Sequence, residues 1–78
     1  MPQFNIPSDS SQKKIIRAFK KLGFIVLPLG KGSHQMMEDP KTGVRVTVQY
    51  KIYKDVIREY CKTIIELGYD VDKFIKKL

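Results

Sequence analysis

The stretch VRVTVQY, Val44 to Tyr50, decides how the rest of the chain is read. Val44, Val46, Val48 and Tyr50 alternate with Arg45, Thr47 and Gln49. Successive side chains on a strand point to opposite faces, so this run predicts a strand packed on one side and solvated on the other. Strands of that kind belong to antiparallel sheets with one open face. DPKTG, Asp39 to Gly43, precedes it as a turn, with Pro40 presetting φ and Gly43 free to adopt an unusual conformation. His34 to Glu38 then reads as the partner strand of a hairpin. Phe24 to Leu29, FIVLPL, is a third strand in which Pro28 confines the later half to an edge or an end. GKGS, Gly30 to Ser33, turns the chain between them.

Helices flank this hairpin. Asp9 with Gln12 three residues later fits a capping box, which predicts a helix starting there. At 100° per residue, Ile15, Ile16, Ala18, Phe19 and Leu22 fall on one side and Lys13, Lys14, Arg17, Lys20 and Lys21 on the other. Gly23 ends the helix as a left-handed cap. Lys54 to Leu67 predicts a second helix with Val56, Ile57, Tyr60, Cys61, Ile64 and Leu67 on its apolar arc, ended by Gly68. Its polar arc mixes both signs of charge at three- and four-residue spacings, so those charges satisfy one another. Asp70 caps a last short helix carrying Val71, Phe74, Ile75 and Leu78. Residues 1–8 hold two prolines and no period, and read as an extended arm.

The expected architecture is therefore α+β in the order α-β-β-β-α(-α), a three-stranded antiparallel sheet with helices on one face, in a single domain over residues 1–78. This is the shape of double-stranded RNA-binding domains. So short a chain does not enclose a deep pocket. Fifteen lysines and arginines against eight acids give a net charge of +7, which favours a polyanionic partner. The single cysteine, Cys61, cannot close an intrachain disulfide and reads as a buried thiol in a reducing cytoplasm. No apolar run reaches the length of a membrane span, and the start lacks the pattern of a signal peptide. One cysteine and one histidine do not make a standard zinc site, and a carboxylate site at Glu38 and Asp39 has little support. No metal and no cofactor is expected.

The chemistry concentrates in GKGSH, Gly30 to His34, which holds the only histidine. Gly30 and Gly32 let the backbone approach an anion closely, and successive amides in such a turn form a nest for phosphate. Lys31 adds charge, Ser33 a hydroxyl, and His34 an imidazole suited to proton transfer near neutrality. Ser33 and His34 are strand neighbours facing opposite ways, so they do not make a nucleophile and base pair, and a serine hydrolase is excluded. RNA carries its own nucleophile, the 2′-hydroxyl. A protein can therefore cleave it by positioning a phosphate and moving one or two protons. The basic side of the first helix, with Lys13, Arg17 and Lys20 and no acid, suits contact with nucleic acid.

The run Leu22-Gly23-Phe24, then Lys31-Gly32-Ser33-His34, then Arg45-Val46-Thr47-Val48, then Gly68 followed by Asp70, Asp72 and Phe74, resembles the HicA toxin family of prokaryotic toxin-antitoxin systems. The resemblance implies an mRNA endoribonuclease of double-stranded-RNA-binding-domain-like fold, with His34 at the family's functional histidine and a HicB antitoxin as the usual partner. It also implies a proline and a second histidine after the valine-rich strand, where this chain carries Gln49-Tyr50-Lys51. Lys51, Tyr50 or Tyr53 would take that second place here. The expectation is a cytoplasmic, metal-independent RNase acting through His34. Lys31, Gly32, Ser33, Arg45, Lys51, Lys13, Arg17 and Lys20 would lie on the RNA. A non-catalytic RNA-binding module is the alternative, and a small structural protein the third possibility.

Overall fold

The computed structural model of the chain describes residues 6–28 and 34–78. In order, the elements are β1 (Asp9–Ser11), α1 (Gln12–Leu22), β2 (Ile25–Val26), β3 (Gln35–Glu38), β4 (Arg45–Val48), β5 (Lys51–Tyr53), α2 (Lys54–Glu66) and α3 (Val71–Lys76). The strands β2, β3 and β4 form the expected antiparallel sheet, in that order, with Gln35 opposite Val48 and Glu38 opposite Arg45. A second feature was not expected. β1 and β5 pair antiparallel as a two-stranded ribbon, with Asp9 opposite Tyr53 and Ser11 opposite Lys51.

That ribbon corrects the predicted start of the first helix. Asp9 is strand, not cap; the N-cap is Ser11, whose Oγ accepts from the Lys14 amide at 3.3 Å. Gln12 does not close a capping box but reaches across to donate its side-chain amide to the Val48 carbonyl, 3.0 Å away. The cap moved because residues 8–11 are held by tertiary hydrogen bonds: Lys54 N donates to Ser8 O and Gln12 N to Tyr50 O. The first of these also satisfies an amide at the start of α2, whose N-cap, Tyr53, makes no side-chain cap.

Both long helices end as their glycines require. At Gly23, φ is 105°, the Gly23 amide donates to Lys20 O and the Phe24 amide to Phe19 O. This is a Schellman motif, and its usual hydrophobic contact is present, with the Phe19 and Phe24 ring centroids 4.9 Å apart. Gly68 repeats the pattern, with Gly68 N on Ile65 O and Tyr69 N on Ile64 O.

The core lies between the helices and the inner face of the sheet. Ile15, Ala18 and Phe19 of α1, Met37 and Val48 of the sheet, Ile52 of β5, Ile57, Cys61 and Ile64 of α2 and Phe74 of α3 have no solvent exposure. Phe19 is the hub, with Phe24, Tyr60 and Phe74 rings all within 5.3 Å of its own, centroid to centroid. Tyr60 reaches the sheet as well, donating its hydroxyl to Thr47 O at 2.6 Å.

The valine-rich run is a shorter strand than its alternation predicts. Val48 is buried and Val46 half-buried, but Val44 is exposed and Tyr50 is 74% exposed, so neither end of the run packs inward. After Val48 the chain turns so that Lys51 to Tyr53 can join β1, and Ile52 fills the inward place that Tyr50 was expected to take. Of the predicted strand over Phe24 to Leu29, the described residues are strand only at Ile25–Val26, the Phe24 amide being committed to the end of α1, and Leu29 lies outside the described residues.

Candidate functional site

His34 is exposed and immediately precedes β3. Its position is fixed by its neighbour. Gln35 is buried, sits opposite Val48, and donates its side-chain amide to Leu27 O at 2.6 Å and to Met36 O at 3.2 Å. The histidine therefore stands at the end of the sheet where β4 finishes. The start of α1 reaches the same end, because Gln12 donates to the carbonyls of both Val48 and Tyr50. Among the described candidates, His34 and the first residue of the basic helix are thus both tied to the Val48 end of β4.

Lys13, Arg17 and Lys20 are exposed along α1, with Lys14 and Lys21 beside them, and the helix contains no acid. Lys13 and Lys51 come together although they are far apart in sequence. Both line an open groove of about 630 Å³ whose walls are Asp9, Ser10, Ser11, Gln12, Lys14 and Tyr50. Arg45 lies elsewhere: it is three register positions from Val48, roughly 10 Å at strand spacing, and its Nε is 2.9 Å from Glu38 Oε1. Lys31, Gly32 and Ser33 lie outside the described residues, so the phosphate-nest expectation is neither supported nor opposed by the geometry.

The carboxylates once considered for a cation are otherwise engaged. Glu38 pairs with Arg45, and Asp39, fully buried, accepts from the Tyr69 hydroxyl, from Thr42 Oγ1 at 2.7 Å and from the Lys41 amide at 3.2 Å. Burial alone would push the Asp39 carboxyl up. The Tyr69, Thr42 and Lys41 contacts outweigh it and hold the group below its ordinary value. Among the described residues, no cluster of three or more histidine, cysteine or acidic side chains is arranged around a metal-sized space. Cys61 is buried as expected, and desolvation pushes its thiol up to about 11, the mark of an unreactive structural cysteine.

Alternation placed Tyr50 on the packed face of the valine-rich strand, and the structure corrects this: Tyr50 is exposed, as is Tyr53, the other tyrosine that the family resemblance offers for the second histidine's place. They are 74% and 57% exposed, and the Lys51 Nζ lies 5.4 Å from the centre of the Tyr53 ring. The available signal was the short alternation Lys51-Ile52-Tyr53, which puts Lys51 and Tyr53 on one face and Ile52 on the other.

A three-stranded antiparallel sheet backed by helices, with one exposed histidine and a lysine-rich helix, defines a small cationic α+β domain. A family model described as the HicA toxin of bacterial toxin-antitoxin matches residues 13–69, from the second residue of α1 to Tyr69. The chain belongs to the HicA toxin family. No curated protein and no solved structure matches it. Among the described residues, no helix is long and apolar enough to cross a membrane.

Proposed function

We propose that the protein is the toxin of a toxin-antitoxin pair and acts as a metal-independent endoribonuclease on mRNA in the cytoplasm, restrained by a HicB-like antitoxin. The observation that supports this reading is an exposed His34 at the same end of β4 as the start of an acid-free, lysine-rich helix, in a chain of net charge +7 that belongs to a toxin family. In the proposed reaction a base removes the proton of the 2′-hydroxyl, the 2′-oxygen bonds to phosphorus, and the bond from phosphorus to the 5′-oxygen breaks. An acid protonates that leaving oxygen, giving a 2′,3′-cyclic phosphate and a 5′-hydroxyl. His34 takes one of these proton-transfer roles. Lys31 and the Gly32 and Ser33 backbone bear on the scissile phosphate, and Lys13, Arg17, Lys20 and Lys51 attract the strand.

The test is induction of the protein and of His34→Ala in a bacterial host, with cleavage of a purified mRNA followed in the presence of EDTA. Wild type arrests growth and yields cyclic-phosphate ends, and the variant does neither while keeping its circular dichroism. Equal cleavage by the two proteins refutes the role of His34. A second reading, a non-catalytic RNA-binding module, is favoured by Gln49-Tyr50-Lys51, since the chain carries no second histidine to share the proton transfers. Binding without new RNA ends would select it.

A further inference from the structure

We propose that the groove between the start of α1 and the β1–β5 ribbon is a subsite for single-stranded RNA, in which Tyr50 stacks on an unpaired base while Lys13, Lys14 and Lys51 hold the flanking phosphates. The inference rests on the ribonuclease reading of His34 and specifies the form of RNA that reaches it.

Two observations converge on the groove. Lys13, Lys14 and Lys51 all line it and are exposed, and neither ion pair found among the described residues involves any of them. Against these three cations stands one carboxylate in the wall, Asp9, at the end of the ribbon opposite Tyr53. Next, Tyr50 is the most exposed of the large hydrophobic side chains among the described residues, and it stands in the same wall, directly before Lys51. Single exposed aromatics are common, but here Tyr53 is also exposed, and Lys51 lies between the two tyrosines in sequence. Aromatic faces interleaved with cations are how proteins hold unpaired strands, because every base offers a π-face.

The occupant follows from this chemistry. A duplex presents phosphates and 2′-hydroxyls but keeps its bases stacked, so it could use the lysines and not Tyr50. A single strand uses both. It can also bring its 2′-oxygen into line with the leaving 5′-oxygen, which the regular duplex geometry resists. An acidic protein surface would satisfy the lysines but offers no unpaired base for Tyr50 to stack on.

The experiment measures fluorescence anisotropy of a labelled 12-nucleotide RNA, unpaired or annealed to its complement, with the full chain carrying His34→Ala so that the probe survives. Tyr50→Ala and Tyr50→Phe are made in that background, as is Lys13→Ala with Lys14→Ala. The single strand should bind at least tenfold more tightly than the duplex. Tyr50→Ala should lose roughly 5- to 150-fold in affinity for the single strand, and Tyr50→Phe should restore it, since stacking needs the ring and not the hydroxyl. Removing both lysines should lower the slope of log K against log salt by about 1.4, two phosphate contacts at about 0.7 each. Equal binding of both RNAs, or no loss with a folded Tyr50→Ala, overturns the subsite. So does displacement of the RNA by polyglutamate that is just as strong in Tyr50→Ala as in the parent. Cleavage by the His34-containing protein is scored separately. Cutting that survives Tyr50→Ala undiminished sinks this proposal alone, whereas Tyr50-dependent binding without any cutting sinks the nuclease reading and leaves the strand site standing.

Discussion

Tyr69→Phe removes one oxygen and tests the tie between the hairpin turn and the end of α2. The Tyr69 hydroxyl donates to Asp39, whose backbone closes the same turn through Asp39 N to Val44 O and Gly43 N to Asp39 O, each 2.8 Å. The ring contacts survive the change: Phe24 lies 5.4 Å from it, centroid to centroid, and the Lys41 Nζ 5.4 Å from its centre. Only the hydrogen bond is lost. A bond to a buried charged acceptor contributes about 1.5–3 kcal/mol, and the half-buried position of Tyr69 points to the lower part of that range. In a domain of this size that corresponds to a fall in Tm of roughly 10 °C. The pH dependence carries the sign. Asp39 is held below its ordinary value when folded, so its contribution is full above the unfolded value, near 4, and is lost as pH falls through the folded one. Tyr69 is raised, chiefly by its bond to Asp39, so its contribution is full below about 10 and is lost as pH rises through its folded value. Urea melts of both proteins should therefore show the full deficit near pH 7 and a smaller one as the solution is taken down towards about pH 2. A deficit below about 0.5 kcal/mol at neutrality, or one that does not change on acidification, would refute the ionised, buried state assigned to Asp39.

Two further outcomes follow from burial and capping. Cys61 should resist iodoacetamide in the native protein at about pH 8, and react fully in guanidinium, because its thiol is inaccessible and pushed up to about 11; rapid native alkylation, read by mass spectrometry, would contradict its placement in the core. Ser11→Ala should cost about 1 kcal/mol in chemical denaturation and Asp9→Ala less than about 0.5, since Ser11 and not Asp9 caps α1; the reverse order would return the cap to Asp9.

The helices and the hairpin were legible because their information is local. A stripe such as Ile15, Ala18, Phe19 and Leu22 repeats at the period of the helix it forms, and Gly23 marks a backbone state that other residues seldom adopt. The ribbon was not legible for the opposite reason. Asp9-Ser10-Ser11 has no apolar pattern and becomes a strand only through partners at the far end of the valine-rich run, and the same pairing pulls Tyr50 out of the alternation. The burial of Asp39 was equally hidden, since a carboxylate after a strand ordinarily faces water and it takes the Tyr69, Thr42 and Lys41 donors to make this one welcome inside. Of the site, the residue types could be read from sequence, but the meeting of Lys13 with Lys51 depends on the ribbon and therefore could not.

The charge arrangement on α1 separates what the helix needs from what its surface is for. Lys20 and Lys21 lie in the last turn, where the helix dipole favours cations, so the helix itself gains from them. Lys13 and Lys14 lie in the first turn, where the dipole opposes them, and no acid there compensates. Lys14 even occupies the third helical position, facing an N-cap serine, where glutamate would complete a capping box. Lys14→Glu should therefore stabilise the domain by about 0.5–2 kcal/mol through the added cap and the removed repulsion. It should at the same time weaken RNA binding and cleavage, because a cation in the groove has become an anion. Thermal melts and a cleavage assay on the same preparation decide the matter. A variant that melts higher and cuts less means the lysine is kept against the helix's own preference for the sake of the strand it holds. One that melts higher and cuts as before would show that the first turn of α1 does not touch RNA at all.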